Sequence, residues 1–164
     1  MNPMRPTITP CLWFDDNAEE AAEFYTSVFD GSRILHKMIA HDDWPGGKIG
    51  DVIMVDFELK GQPYQALGGG PSDPFNDRVS LSVTCADQAE VDRYWDRLTA
   101  DGGEPIMCGW LKDKFGMRWQ IVPEEFFQLV NDKDPQKSRR VMQAMTQMVK
   151  LDVAKLRQAH EGQE

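Results

Sequence analysis

The chain has 164 residues, 41% of them hydrophobic, with five Trp and eight Phe, enough apolar material for one domain or for two small repeated halves sharing a core. A formal net charge of −9 and a pI near 4.8 argue against non-specific partners among nucleic acids and anionic membranes, both of which need a positive field. No apolar run approaches the ~20 residues of a membrane span, residues 1–6 show no signal-peptide stretch, and the scattered Cys11, Cys85 and Cys108 lack CxxC spacing, so a reducing cytoplasm is expected and not a disulfide or zinc framework.

Residues 7–14 (TITPCLWF) are β-branched and aromatic and predict a strand. Asn17 with Glu20 three residues later has the signature of a capping box, opening a helix over 18–29 with Ala21, Phe24, Tyr25 and Val28 on one stripe. Asp30-Gly31 ends it, and 32–40 predicts a second strand. Residues 41–47 form a loop rich in breakers around Trp44. Strands are expected over 49–59 and 63–67, joined by Lys60-Gly61, and the second runs out into Gly68-Gly69-Gly70-Pro71, read as a flexible loop between two halves.

The pattern then restarts. Residues 78–85 predict a strand. Asp87 and Glu90 repeat the cap, and 89–100 predict a helix with Val91, Tyr94, Trp95 and Leu98 inward. Short strands follow around 105–108 and 110–111. Asp113-Lys114-Phe115-Gly116 makes a tight turn into a last strand with Met117, Trp119 and Ile121 on a core face and Arg118, Gln120 and Val122 on the other. Aligning Gly61 with Gly116 aligns Tyr64 with Trp119 and Gln65 with Gln120, and Asn17, Phe24, Tyr25 and Val28 match Asp87, Tyr94, Trp95 and Leu98. The chain therefore reads as an α+β domain of paired βαβββ modules, 7–71 and 77–123, expected to close around one cavity. Residues 124–162 form a helical C-terminal extension: a short helix from 124, then Asp134-Pro135 opening a helix that runs to about His160. Its stripe of Val141, Met145, Met148, Val149 and Leu156 packs on the body or on a second subunit, or offers a methionine-rich surface to partners.

These features resemble a known group. The paired modules with Asp- or Asn-capped helices and the D-x-F-G-x-x-x-[E/Q] ending, here Asp113 to Gln120, resemble the vicinal oxygen chelate superfamily. Residues 8–15 (ITPCLWFD), Phe24-Tyr25-x-x-Val28-Phe29, 66–71 (ALGGGP) and 108–116 (CGWLKDKFG) are similar to its PhnB-like subgroup, whose members carry the label 3-demethylubiquinone-9 3-methyltransferase. The resemblance implies, for metal-using members, a His or Glu from each module's first strand and a Glu from its last, holding an ion that acts as a Lewis acid on two neighbouring substrate oxygens. The corresponding positions here are Pro10, Gln65, Ser80 and Gln120, with Thr9 or Cys11 as the alternatives to Pro10 if the count slips by one. No carboxylate or imidazole is among them, and His36, His41 and His160 show no chelate spacing, so neither a metal nor another cofactor is expected. Gly68-Gly69-Gly70 leads into Pro71 and a further strand, whereas a cofactor-cradling glycine loop opens into a helix.

The candidate ligand-binding residues are Gln65, Ser80, Arg118, Gln120, Trp13 and Trp110. The two Trp line an aromatic pocket or pack in the core. Arg118 binds an anionic or carbonyl-bearing ligand or pairs with a carboxylate. Cys108 is a reactive thiol if Lys112 or Arg118 lowers its pKa, and otherwise a structural cysteine. The expected function is metal-free binding of a small organic molecule by a cytoplasmic homodimer. The alternatives are an enzyme, through metal-dependent chemistry or the methyl transfer of the label, and a chiefly structural protein.

Overall fold

A computed structural model describes residues 8–163 of the chain, which divides into two compact units between Asp73 and Pro74. The first holds β1 (Cys11–Phe14), α1 (Ala18–Val28), β2 (Arg33–Ile39), β3 (Val52–Leu59) and β4 (Gln62–Gly68), its sheet ordered β1-β4-β3-β2. β1 runs parallel to β4 and the other neighbours are antiparallel. The second unit repeats this order with β5 (Ser80–Cys85), α2 (Gln88–Thr99), β6 (Glu104–Pro105), β7 (Trp110–Lys112) and β8 (Arg118–Pro123), arranged β5-β8-β7-β6 with β5 parallel to β8. It continues into α3 (Glu124–Val130), α4 (Pro135–Met145) and α5 (Val153–Glu161). The fold is thus α+β, two βαβββ modules with a helical extension.

Each helix covers one face of its own sheet. In α1, Ala18, Ala21, Ala22, Tyr25 and Val28 are buried, and the three alanines allow close approach. Tyr25 lies 6.4 Å from both the Phe14 and the Phe57 rings. In α2, Val91, Tyr94, Trp95 and Leu98 are buried, as are Leu111, Trp119 and Ile121 on the strands and Met117 just before β8. Burying each such large side chain contributes about 1.5–3 kcal/mol.

The structure departs from the expected boundaries in instructive places. β1 starts at Cys11, not near residue 7; Thr7 lies outside the described residues. β3 starts at Val52 because 49–51 are taken up in a turn, where Gly50 has φ +93° and its N–H bonds Ala40 O. β5 starts at Ser80, and Phe24 is half-buried on the rim of its stripe. Asn17 does not cap α1 through its side chain: its φ/ψ of −111°/25° is not the extended geometry a capping side chain needs. Asp87, at −154°/179°, does cap, accepting from Glu90 N at 2.9 Å, while Glu90 accepts from Ala86 N.

The long tail helix is interrupted. Residues 146–152 leave the helix because their carbonyls are used elsewhere: Cys108 N donates to Met148 O at 2.7 Å and Gly109 N to Val149 O at 2.8 Å. Asp152 then caps α5. Val141, Leu151 and Leu156 are buried with Val122 in one cluster, bordered by Met145 and Met148, so the stripe packs on its own unit; Val149 is exposed.

Gly68-Gly69-Gly70 is not a loose loop. Gly69 N and Gly70 N donate to Phe14 O and Asp15 O at 2.9 Å, extending the ladder beside β1. A Cβ on Gly69 would lie 2.3 Å from the Trp13 ring, and one on Gly46 would lie 2.3 Å from Gly68 O. Trp13 presses onto the bare backbone of Gly69, and Pro45 and Gly46 onto that of Gly70, which has φ +81°.

Candidate functional site

Period-two alternation buries alternate residues of β1, β3, β4 and β7 and of the start of β8 and leaves a second face on each sheet. In sheet 1 this face carries Cys11, Trp13, Met54, Asp56, Gln65 and Leu67. The register aligns His36, Asp56, Gln65 and Cys11 in one row across the four strands. Gln65 Nε2 donates to Asp56 Oδ1 at 2.9 Å. This bond turns the Gln65 amide nitrogen toward β3 and leaves Oε1 as its remaining acceptor. Packing beneath Cys11, and secondarily the charge of Asp56, push its thiol up, which disfavours the thiolate there. Trp13 is 47% exposed and donates Nε1–H to Gly70 O at 2.8 Å, so it lines this face and clamps the glycine run at once.

The equivalent face of sheet 2 carries Ser80, Ser82, Trp110, Lys112, Arg118 and Gln120, with Ser80 opposite Arg118, and Ser82 and Trp110 flanking Gln120. Gln120 Nε2 bonds Ser80 Oγ at 2.8 Å. Arg118 donates through Nε to Asp77 Oδ1 at 2.6 Å and through Nη1 to Gly116 O at 2.6 Å and Phe75 O at 3.4 Å. Trp110 is half-buried, and Lys112 pairs with Glu104 at 2.8 Å.

The last strand is held by Asp113, 1% exposed, whose carboxylate accepts from Phe115 N, Met117 N and Trp119 Nε1 at 2.8–3.0 Å. Gly116, at φ +89°, closes the turn. Cys108 stands apart from these rows. It occupies a left-handed conformation, φ +62°, where its N–H meets the tail, and the two cations proposed to activate it are engaged with Glu104 and Asp77.

The positions matching the superfamily's metal ligands do not fit a divalent ion. Pro10 offers its carbonyl to Gln65 N, and the other three present a hydroxyl and two amides already bonded on their own sheets. Among the described residues no three His, Cys, Asp or Glu side chains converge in a way that could hold a metal. No helix among them is long and apolar enough to cross a membrane.

Unit 2 also has a polar groove of about 530 Å³ lined by Gln88, Asp92, Lys150, Leu151 and Asp152 among others. Four of these side chains already serve the fold. Gln88 bonds Asp92, Leu151 O and Val153 N, Lys150 pairs with Asp92, and Asp152 caps α5. Asp56 and Asp77, the partners that orient Gln65 and Arg118, carry no motif signal; only strand register and the path of the 74–79 segment bring them to these side chains.

Residues 6–122 match the family described as 3-demethylubiquinone-9 3-methyltransferase. Among solved structures the chain is similar to a putative 3-demethylubiquinone-9 3-methyltransferase, PhnB protein, from Bacillus cereus, with 35% identity over 72% of this chain and 99% of that one, TM-score 0.63. It is similar in fold to protein PA1353 from Pseudomonas aeruginosa (21% identity, 73% and 98% covered, TM-score 0.60) and to the fosfomycin resistance protein FosX from Mesorhizobium loti (14%, 71% and 89%, TM-score 0.50). No curated protein matches the chain.

Proposed function

The chain belongs to the 3-demethylubiquinone-9 3-methyltransferase family, PhnB-like proteins with the vicinal oxygen chelate fold, and from that premise we propose that it binds a small organic molecule on the polar sheet faces of its modules without a metal ion. The donor set carries the reading. Where metal-using relatives of the fold need imidazole or carboxylate, this chain has Pro10, Gln65, Ser80 and Gln120, and both amides are locked in place by neighbours. Such groups direct hydrogen bonds to a ligand, beside aromatic area from Trp13 and Trp110.

Metal analysis of tag-free protein, with a Co²⁺ titration alongside, is the direct test. The expected result is no bound metal and no spectral or thermal response. Near-stoichiometric tight metal would overturn the reading and restore Lewis-acid chemistry, and turnover abolished by changes at Arg118 or Gln120 would replace binding by catalysis.

The family's description favours methyl transfer as the competing reading. The glycine run that would cradle S-adenosylmethionine is filled by Trp13 and the 44–46 loop and opens into no helix. Calorimetry with S-adenosylmethionine decides between the two, with no saturable heat expected. The proposal includes a cytoplasmic homodimer, which light scattering and cell fractionation would check.

A further inference from the structure

We infer that sheet 2 selects an uncharged, planar, carbonyl-bearing ligand, its oxygen held by Arg118 and Ser80 and its ring laid along Trp110; this rests on the metal-free binding reading above. A guanidinium has five N–H groups. Nε–H and the two on Nη1 go to Asp77, Gly116 O and Phe75 O. Nη2 makes no hydrogen bond to the described residues. Ser80 Oγ accepts from Gln120 Nε2, which leaves its own O–H to donate outward. Ser80 and Arg118 are register partners on parallel strands, so these donors lie side by side on one face. The fixed ties at Nε and Nη1 orient the guanidinium before a ligand arrives, which lowers the ordering cost of binding.

Charge decides which oxygen they suit. The cation of Arg118 is already answered by Asp77 at 2.6 Å, and that of Lys112 by Glu104 at 2.8 Å. A ligand carboxylate would add a second anion beside Asp77 in a chain of net charge −9. A neutral carbonyl takes both donors without that repulsion. Trp110, half-buried and in register with Gln120, supplies the flat apolar wall.

The test is ligand-observed NMR on the full chain with two matched pairs, coumarin against coumarin-3-carboxylate and benzamide against benzoate, beside a broad fragment set. The neutral member of each pair is expected to bind at least about tenfold more tightly than the anion. S80A is expected to weaken the neutral ligand roughly threefold and R118Q about tenfold, the losses of a neutral and a charged donor. If R118Q fails to fold by circular dichroism, S80A carries the test. Anions binding more tightly, neutral carbonyls failing where other fragments bind, or S80A leaving affinity unchanged would each overturn the inference while the binding reading stands. No binding by any fragment would overturn both.

Discussion

The Asp113 carboxylate accepts from two backbone N–H groups of its turn and from the indole of Trp119, and its contacts with Met117 N and Trp119 Nε1 are buried. D113A strands these donors, and each unsatisfied buried donor costs about 1–3 kcal/mol, so a loss of roughly 3 kcal/mol or more is expected in urea denaturation. D113N keeps an acceptor for part of the set and should cost less; equal effects would show that the turn does not depend on the charge. On sheet 1, Asp56 raises the Cys11 pKa, though packing contributes more. D56N removes that charge and lowers the pKa, so more thiolate is present at pH 8 and Cys11 should alkylate faster with iodoacetamide, read by peptide mass spectrometry with C11S as the blank. An unchanged rate would mean the two side chains do not interact. Residues of this kind divide by how they are legible. Gln65, Ser80 and Gln120 are found by counting within a repeat, because equivalent turns fix equivalent positions. Asp56 and Asp77 are invisible to such counting, since one is placed by cross-strand register and the other lies 41 residues from Arg118.

Elements were legible where one local force acts. The α2 stripe of Val91, Tyr94, Trp95 and Leu98 is buried as its spacing predicts, and Asp87 caps as its neighbours predict. The tail helix breaks where backbone partners distant in sequence compete: the carbonyls of Met148 and Val149 serve Cys108 and Gly109, a demand that no helical propensity in 146–152 records. The glycine run is ambiguous for a similar reason: three consecutive glycines signal freedom locally, whereas Gly69 and Gly70 serve close approach in the folded chain. The contacts rank its substitutions. In G46A the new Cβ meets the backbone carbonyl of Gly68, which is held in its own ladder; in G69A it meets the Trp13 indole, which can swing outward at the cost of its bond to Gly70 O. Overpacking costs about 1–3 kcal/mol, so both should lower the urea midpoint, G46A toward the upper end and G69A toward the lower. A reversed order would mean that Trp13, though 47% exposed, is the firmer wall.

The repeat was readable at the scale of the whole chain because two modules with one strand order leave the same punctuation twice, whereas the extension has no counterpart to be compared with. Its ties are electrostatic as well as apolar, and they make acid the condition that finds it. Asp92 is held below the usual carboxylate range by Lys150 Nζ at 2.8 Å and then by Gln88. Glu125 is lowered by Arg157, whose Nη2 lies 2.6 Å from Oε2. Asp132 is lowered by the N–H of Asp134 and then by His160, both at 2.8 Å. A carboxylate whose folded pKa is depressed adds stability that is fully present above its unfolded value, near 4, and is lost as pH falls through the folded value. The three together should therefore stabilise unit 2 at neutral pH and cease to do so in acid. In the triple variant D92N/E125Q/D132N the urea midpoint should lie below that of the wild type at pH 7. The gap should narrow as pH falls from about 5 toward 3, and it should also narrow in about 1 M salt, because these pairs face solvent. A gap that persists unchanged into acid would show that the amides disturb packing and that the charges themselves contribute nothing to holding the extension.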